Sequence, residues 1–252
     1  GIGVTIIRVK NLIDLYRRAN VNHGFVKSKL TQKEYIKHII LERDRIMQFM
    51  THEIKSLLPL RILNGLKKNY GLFPVLRPLI KLHKLDNPSY LDVDKLTARL
   101  IKAGIDCPLN CVGATLSQLA KAVITESREY MKQRFGRFIG LIDCDEAFDG
   151  LNSKSTFLGS GFESPIIAFE ADAQDMYIEL IFPIVRVATF KLLKLLGRSN
   201  SFIHFYLECL SLIMSFNYFI EPEGVFTTPT NGSQGFAIGC KYAADGSEIT
   251  ML

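Results

Sequence analysis

Two spacings of apolar residues alternate along this chain, and their irregular order limits its fold more than any other feature. In the stretch "KSKLTQKEYIKHIILERDRIMQFMTHEIKSLL", apolar side chains fall at Tyr35, Ile36, Ile39, Ile40, Ile46, Met47, Met50 and Ile54, the spacing of one helix face. Thr31 followed by Glu34 is a capping-box signature for its start. The stretch reads as one long helix with a charged outer face. Over 71–105 the character changes: short apolar runs broken by Pro74, Pro78 and Pro88 predict two strands joined by a polar loop. "TLSQLAKAVITESREYMKQRFG" returns to helical spacing, with Gly136 as its stop. "RFIGLID" and "PIIAFEAD" each read as a strand ending in an acid. Two helices follow in "MYIELIFPIVRVATFKLLKLLG" and "NSFIHFYLECLSLIMSFNYF", then a hairpin over "YFIEP" and "GVFTTP". This order predicts an α+β fold and argues against a repeat array.

Composition bounds the function. With 252 residues, 48% of them hydrophobic, the chain has material for one large core or two small ones. Its most apolar stretch, Met176 to Leu196, contains Glu179, Pro183, Arg186, Lys191 and Lys194, so it reads as a buried or amphipathic helix and not a membrane span. No signal-peptide pattern stands at the start, and a first residue other than Met reads as a processed chain or a fragment. Lysine and arginine number 31 against 25 acidic residues, a net charge of +6 that suits an anionic partner such as nucleic acid. Of the five cysteines only Cys107 and Cys111 lie close together, without the second pair or nearby histidine of a zinc site. They read as reduced thiols in an intracellular or organellar compartment.

Four short motifs then occur in a set order. Leu79-Ile80-Lys81-Leu82-His83-Lys84 is followed by Arg99-Leu100-Ile101-Lys102-Ala103-Gly104. Next come an aspartate closing a strand and the run "GSQGFAIG" over 232–239. The order resembles the fingers and palm of reverse transcriptases, most closely the Penelope-like branch and related organelle-encoded proteins, over about residues 70–252. Residues 1–70 lie outside it and read as a basic, mainly helical segment; the resemblance implies fingers at 71–135 and a partial palm at 136–252. Lys81, Lys84 and Arg99 would set positive charge over an incoming triphosphate. Gln234 and Gly235 would supply the bare-backbone turn against the template base and nascent pair, where a side chain would block the approach. The sequence departs from the family pattern at Ile80 and Leu100, each standing where the family has proline, and at Cys240-Lys241, where it has serine-proline.

Two aspartates compete for the catalytic position. Asp172 closes "IIAFEAD" with Tyr177 five residues on, the offset at which the family places an aromatic under the sugar. Asp143 closes "FIGLID" with Phe148 at the same offset. Spacing favours Asp172, which leaves two helices before the glycine run, and Asp143 stands as runner-up. In the family Mg²⁺ is held by carboxylates from two strands, so Asp172 would be one metal ligand. The second set comes from a paired-aspartate hairpin beyond the glycine run, and Leu252 is reached first; Tyr242-Ala243-Ala244-Asp245 is a chance likeness.

Two readings follow. One is a reverse-transcriptase-like protein of a retroelement or organelle genome that binds RNA with a DNA primer strand. It would act as an RNA-directed DNA polymerase only when a second polypeptide or further segment supplies the missing carboxylates. The other is a catalytically silent RNA-binding scaffold in a ribonucleoprotein such as a mitochondrial ribosome. Neither involves a membrane.

Overall fold

A computed structural model describes residues 9–20, 25–66, 73–80, 96, 98–103, 108–135, 180–216, 218–229 and 241–251. They form a mixed helix-and-sheet structure, as the α+β expectation requires. The helices are α1 (Val9–Asn20), α2 (Gln32–Met47), α3 (His52–Ser56), α4 (Leu60–Leu66), α5 (Pro108–Phe135), α6 (Phe182–Leu195), α7 (Asn200–Ser215) and α8 (Ala243–Met251). The strands are β1 (Phe25–Lys27), β2 (Val75–Ile80), β3 (Ala98–Ala103), β4 (Phe219–Ile220) and β5 (Phe226–Pro229).

The capping box at the start of α2 is present in full. The Thr31 hydroxyl accepts from the Glu34 backbone N–H, and the Glu34 carboxylate accepts from the Thr31 N–H at 2.8 Å. The single long helix is not. The chain breaks after Met47 because Thr51 caps a new helix, its side chain accepting from the Ile54 N–H. Pro59 then lies between α3 and α4. Helix α5 begins earlier than the periodicity predicts, at Pro108, since proline costs nothing in a first turn whose N–H groups have no intrahelical partner. Pro183 has the same place in α6.

The chain leaves α6 through Gly197, at φ +69°. The Gly197 N–H donates to Lys194 and the Arg198 N–H to Leu193, both at 3.0 Å. This is a Schellman stop, and its left-handed residue is the reason for glycine. Ser199 caps α7 two residues later, accepting from the Phe202 N–H at 3.1 Å.

Helix α7 is the hub of the bundle. Phe202, Phe205, Tyr206, Cys209, Leu210 and Met214 are all fully buried, too wide a face to serve one neighbour. It packs on α2, α5 and α6, while α8 packs on α5 and α6. The resulting core takes Tyr35 and Ile39 from α2, Leu116 and Val123 from α5, Val185 and Leu193 from α6, and Tyr242 and Ile249 from the α8 region. Helices from the first 70 residues and from beyond 180 thus share one apolar interior. Ion pairs ring it: Arg45–Glu208 at 2.6 Å joins α2 to α7, and Arg128–Glu248 at 2.8 Å joins α5 to α8.

The five strands lie in the order β1-β5-β4-β2-β3. The predicted strand pair at 71–105 is there, with β2 and β3 antiparallel from Val75↔Ala103 to Ile80↔Ala98. So is the predicted hairpin: β4 and β5 pair at Phe219↔Thr227 and Ile220↔Phe226. Gly224, at φ +84°, closes its turn and donates to the Glu221 carbonyl at 2.8 Å. The two hairpins are joined by one parallel pair, Val75↔Ile220. Beyond that pair the β4 side of β2 is open among the described residues, an edge position that tolerates Pro78. Strand β1, too short to carry a period, extends the sheet along β5.

Helix α1 covers part of the sheet. Tyr16 forms a small core with Leu76 of β2 and Phe219 of β4, and Arg17 reaches Glu223 in the β4–β5 turn at 2.6 Å. The Tyr16 hydroxyl finds no hydrogen-bond partner among the described residues. Its burial, with Glu221 and Glu223 nearby, pushes the phenol pKa well up.

Candidate nucleic-acid interface

The candidate site is approached through the sheet. Register places Arg99 of β3 opposite Leu79 of β2, next to the last pair of the ladder, Ile80↔Ala98. Arg77 lies two residues back along β2, paired with Ile101, and is exposed. Lys27 of β1, also exposed, pairs with Thr227. Neither Arg77 nor Lys27 makes an ion pair among the described residues. Two strands of the sheet therefore each carry an exposed cation without an ion pair among the described residues, available to attract an anion through water and salt.

Arg99 is the one sequence-predicted site residue that the described structure contains. Lys81 and Lys84 lie outside the described residues. So do Asp172, its runner-up Asp143, Tyr177, Gln234 and Gly235. The strands expected at "RFIGLID" and "PIIAFEAD" and the stop at Gly136 fall there too. What the structure supplies is the frame around these positions. Strand β5 ends at Pro229 within the sheet and α8 begins at Ala243 against the bundle, so the glycine run is bracketed by a hairpin and a helix, as the sequence predicts. At its far end Tyr242 is fully buried, its hydroxyl 3.1 Å from that of Tyr206 in α7. Burial first, then the neighbouring phenol, pushes the Tyr206 pKa well up, so Tyr206 stays neutral.

Asp245 belongs to α8 and not to a strand. Its carboxylate accepts from the Ser117 hydroxyl of α5 at 2.5 Å. Burial raises its pKa, while Ser117 and Lys121 pull it back. Its likeness to a paired-aspartate motif is one of letters only. Among the described residues no three His, Cys, Asp or Glu side chains converge as a metal site. None of their helices is long and apolar enough to cross a membrane. Cys111 and Cys209 are buried, and burial pushes both thiols up.

Sequence reasoning passed over Arg77. Its signal, a charge between apolar residues in a strand-like run, was present but is shared by any strand with one wet face. No protein-family model, no curated protein and no solved structure matches the chain.

Proposed function

We propose that the chain is a reverse-transcriptase-like protein, fingers and first part of the palm, that binds RNA as a template–primer. The observation that carries this reading is the sheet order. It sets the hairpin holding Arg77 and Arg99 directly beside the hairpin that leads into the glycine run. A polymerase of this kind needs that proximity, because the incoming nucleotide lies between the fingers charges and the glycine turn. The net charge of +6 favours an RNA backbone as the partner. Asp172, the residue that would hold Mg²⁺, lies outside the described residues, so the reading rests on binding and not on a metal-dependent step.

The test is two-armed. Fluorescence anisotropy with an RNA template annealed to a DNA primer should show binding that weakens steeply with salt. Arg77→Gln with Arg99→Gln should lower both the affinity and the salt slope. Primer extension with dNTPs and Mg²⁺ should be silent for this chain. It should appear when the chain is lengthened by a strand–turn–strand bearing paired aspartates, and Asp172→Asn should abolish it. Binding without extension in the lengthened protein selects the ribonucleoprotein scaffold instead. Absence of salt-sensitive binding overturns both.

A further inference from the structure

A cavity of about 390 Å³ opens where α4, the first half of α5 and the turn into α8 meet. Three cations line it, one from each element: Arg61, Lys121 and Lys241. We propose that this cavity binds a phosphate group. The inference stands on the cavity alone and does not depend on the polymerase reading.

The argument begins with charge. Four of the bundle's described arginines are neutralised: Arg43 by Asp44, Arg45 by Glu42 and Glu208, Arg128 by Glu248, Arg198 by Glu53 and Glu126. Arg61, Lys121 and Lys241 make no such pair among the described residues. Three like charges around one concavity repel one another, and an anion of multiple charge seated between them removes that repulsion.

Hydrogen bonding points the same way. Gln118, half-buried in the cavity wall, has no hydrogen-bond partner among the described residues, so its amide can donate to a bound oxygen. Arg61 offers a planar fork and the two lysines offer point charges, a donor set that matches a tetrahedral oxyanion. The carboxylate of Asp245, which acts on Lys121, is turned to Ser117 at 2.5 Å, so it only partly offsets the lysine. The volume accommodates a phosphate with its waters, or two linked phosphates.

The shared chemistry has two sources, a polynucleotide backbone or a free phosphorylated small molecule, and the probes separate them. Inorganic pyrophosphate is titrated by calorimetry, and a single-stranded oligonucleotide by anisotropy, against the whole chain. Arg61→Gln with Lys121→Gln and Lys241→Gln should weaken the bound probe by about tenfold or more. A control of equal charge, Lys33→Gln with Lys37→Gln and Lys191→Gln, should stay within about threefold. All six positions are exposed, and circular dichroism checks that each protein is folded. Should the triple variant be unstable, Lys121→Gln and Lys241→Gln are made singly, each costing about threefold. Pyrophosphate binding assigns the cavity to small phosphates, and oligonucleotide binding alone assigns it to a backbone. Three outcomes overturn the proposal: neither probe binds, the cavity variants bind like wild type, or the control weakens binding as much.

Discussion

Replacing Arg198 by leucine isolates the charged tie that joins three parts of the bundle. Arg198 follows the Gly197 stop, and its side chain is only 12% exposed. One guanidinium nitrogen reaches Glu53 of α3 at 3.5 Å, the other is hydrogen-bonded to Glu126 of α5, and the guanidinium carbon stands 4.8 Å from the Phe202 ring centre. The Glu126 bond is charge-assisted, but its carboxylate is 41% exposed and screened, which leaves about 1 kcal/mol. The longer Glu53 contact adds about 0.5 kcal/mol. The ring contact adds about 1 kcal/mol at this degree of burial. Against these, the Arg198 Nε is buried without a partner among the described residues, and its removal returns about 1 kcal/mol of desolvation. Leucine keeps most of the apolar stem, so the net loss is about 1–2 kcal/mol. Urea unfolding followed by circular dichroism reads this as a lower midpoint at unchanged slope. In a Glu126→Gln background the same substitution should cost about 1 kcal/mol less. A leucine variant as stable as wild type, or a loss unaltered by Glu126→Gln, would show that the geometry carries no coupling.

Gly197→Ala forces a left-handed residue to carry a Cβ; space is open around it, so the loss is the backbone cost of about 1 kcal/mol, read as a lower Tm. Asp245→Asn tests the raised carboxyl. A group whose folded pKa exceeds its unfolded one favours folding most below the unfolded value and loses that advantage as pH rises through the folded value. The asparagine variant should therefore melt above wild type at pH 7, with the gap closing in acid; a gap independent of pH refutes the assignment. Cys209 is fully buried with its thiol pushed up, so it should resist alkylation until denaturant is added, as mass mapping of the labelled peptide would reveal. Removal of residues 1–27 takes away β1 and α1, with the burial of Leu15 and Tyr16, and should cost about 3–5 kcal/mol and expose β5 to self-association, visible by light scattering.

Local rules were enough where one helix face or one tight turn decides the outcome. The Thr31–Glu34 box, both hairpins and the helices around Val123 and Leu210 were legible because each is written in fewer than about thirty consecutive residues. Periodicity alone misjudged Met47 to Thr51, where apolar residues keep helical spacing across a true break. Thr51 was the signal, and a hydroxyl cap outweighs a continued stripe once Ile54 is buried either way. Sheet order was not legible, since β1 pairs with a strand two hundred residues away through a three-residue stretch that has no pattern of its own. The cavity cations were illegible for the same reason: Arg61, Lys121 and Lys241 have no common motif and meet only because α4, α5 and α8 pack together.

The proposed reverse-transcriptase-like region begins near residue 70, yet the packed unit begins earlier. Tyr35 of α2 packs tilted and edge-on among Phe73, Tyr218 and Phe226, with ring centres 5.0–6.1 Å apart, and donates its hydroxyl to the Phe216 carbonyl at 3.3 Å. Those aromatics are the residues from which β2, β4 and β5 spring. The first helix of the core thus fixes the base of both hairpins, and α1 fixes the outer turn through Arg17 and Glu223. If Arg77, Arg99 and the glycine run act on one nucleic acid, their relative positions are set by a helix from outside the motif-bearing region. Substitutions at Tyr35 should then weaken RNA binding through the geometry of the sheet, although Tyr35 is itself fully buried and touches no RNA.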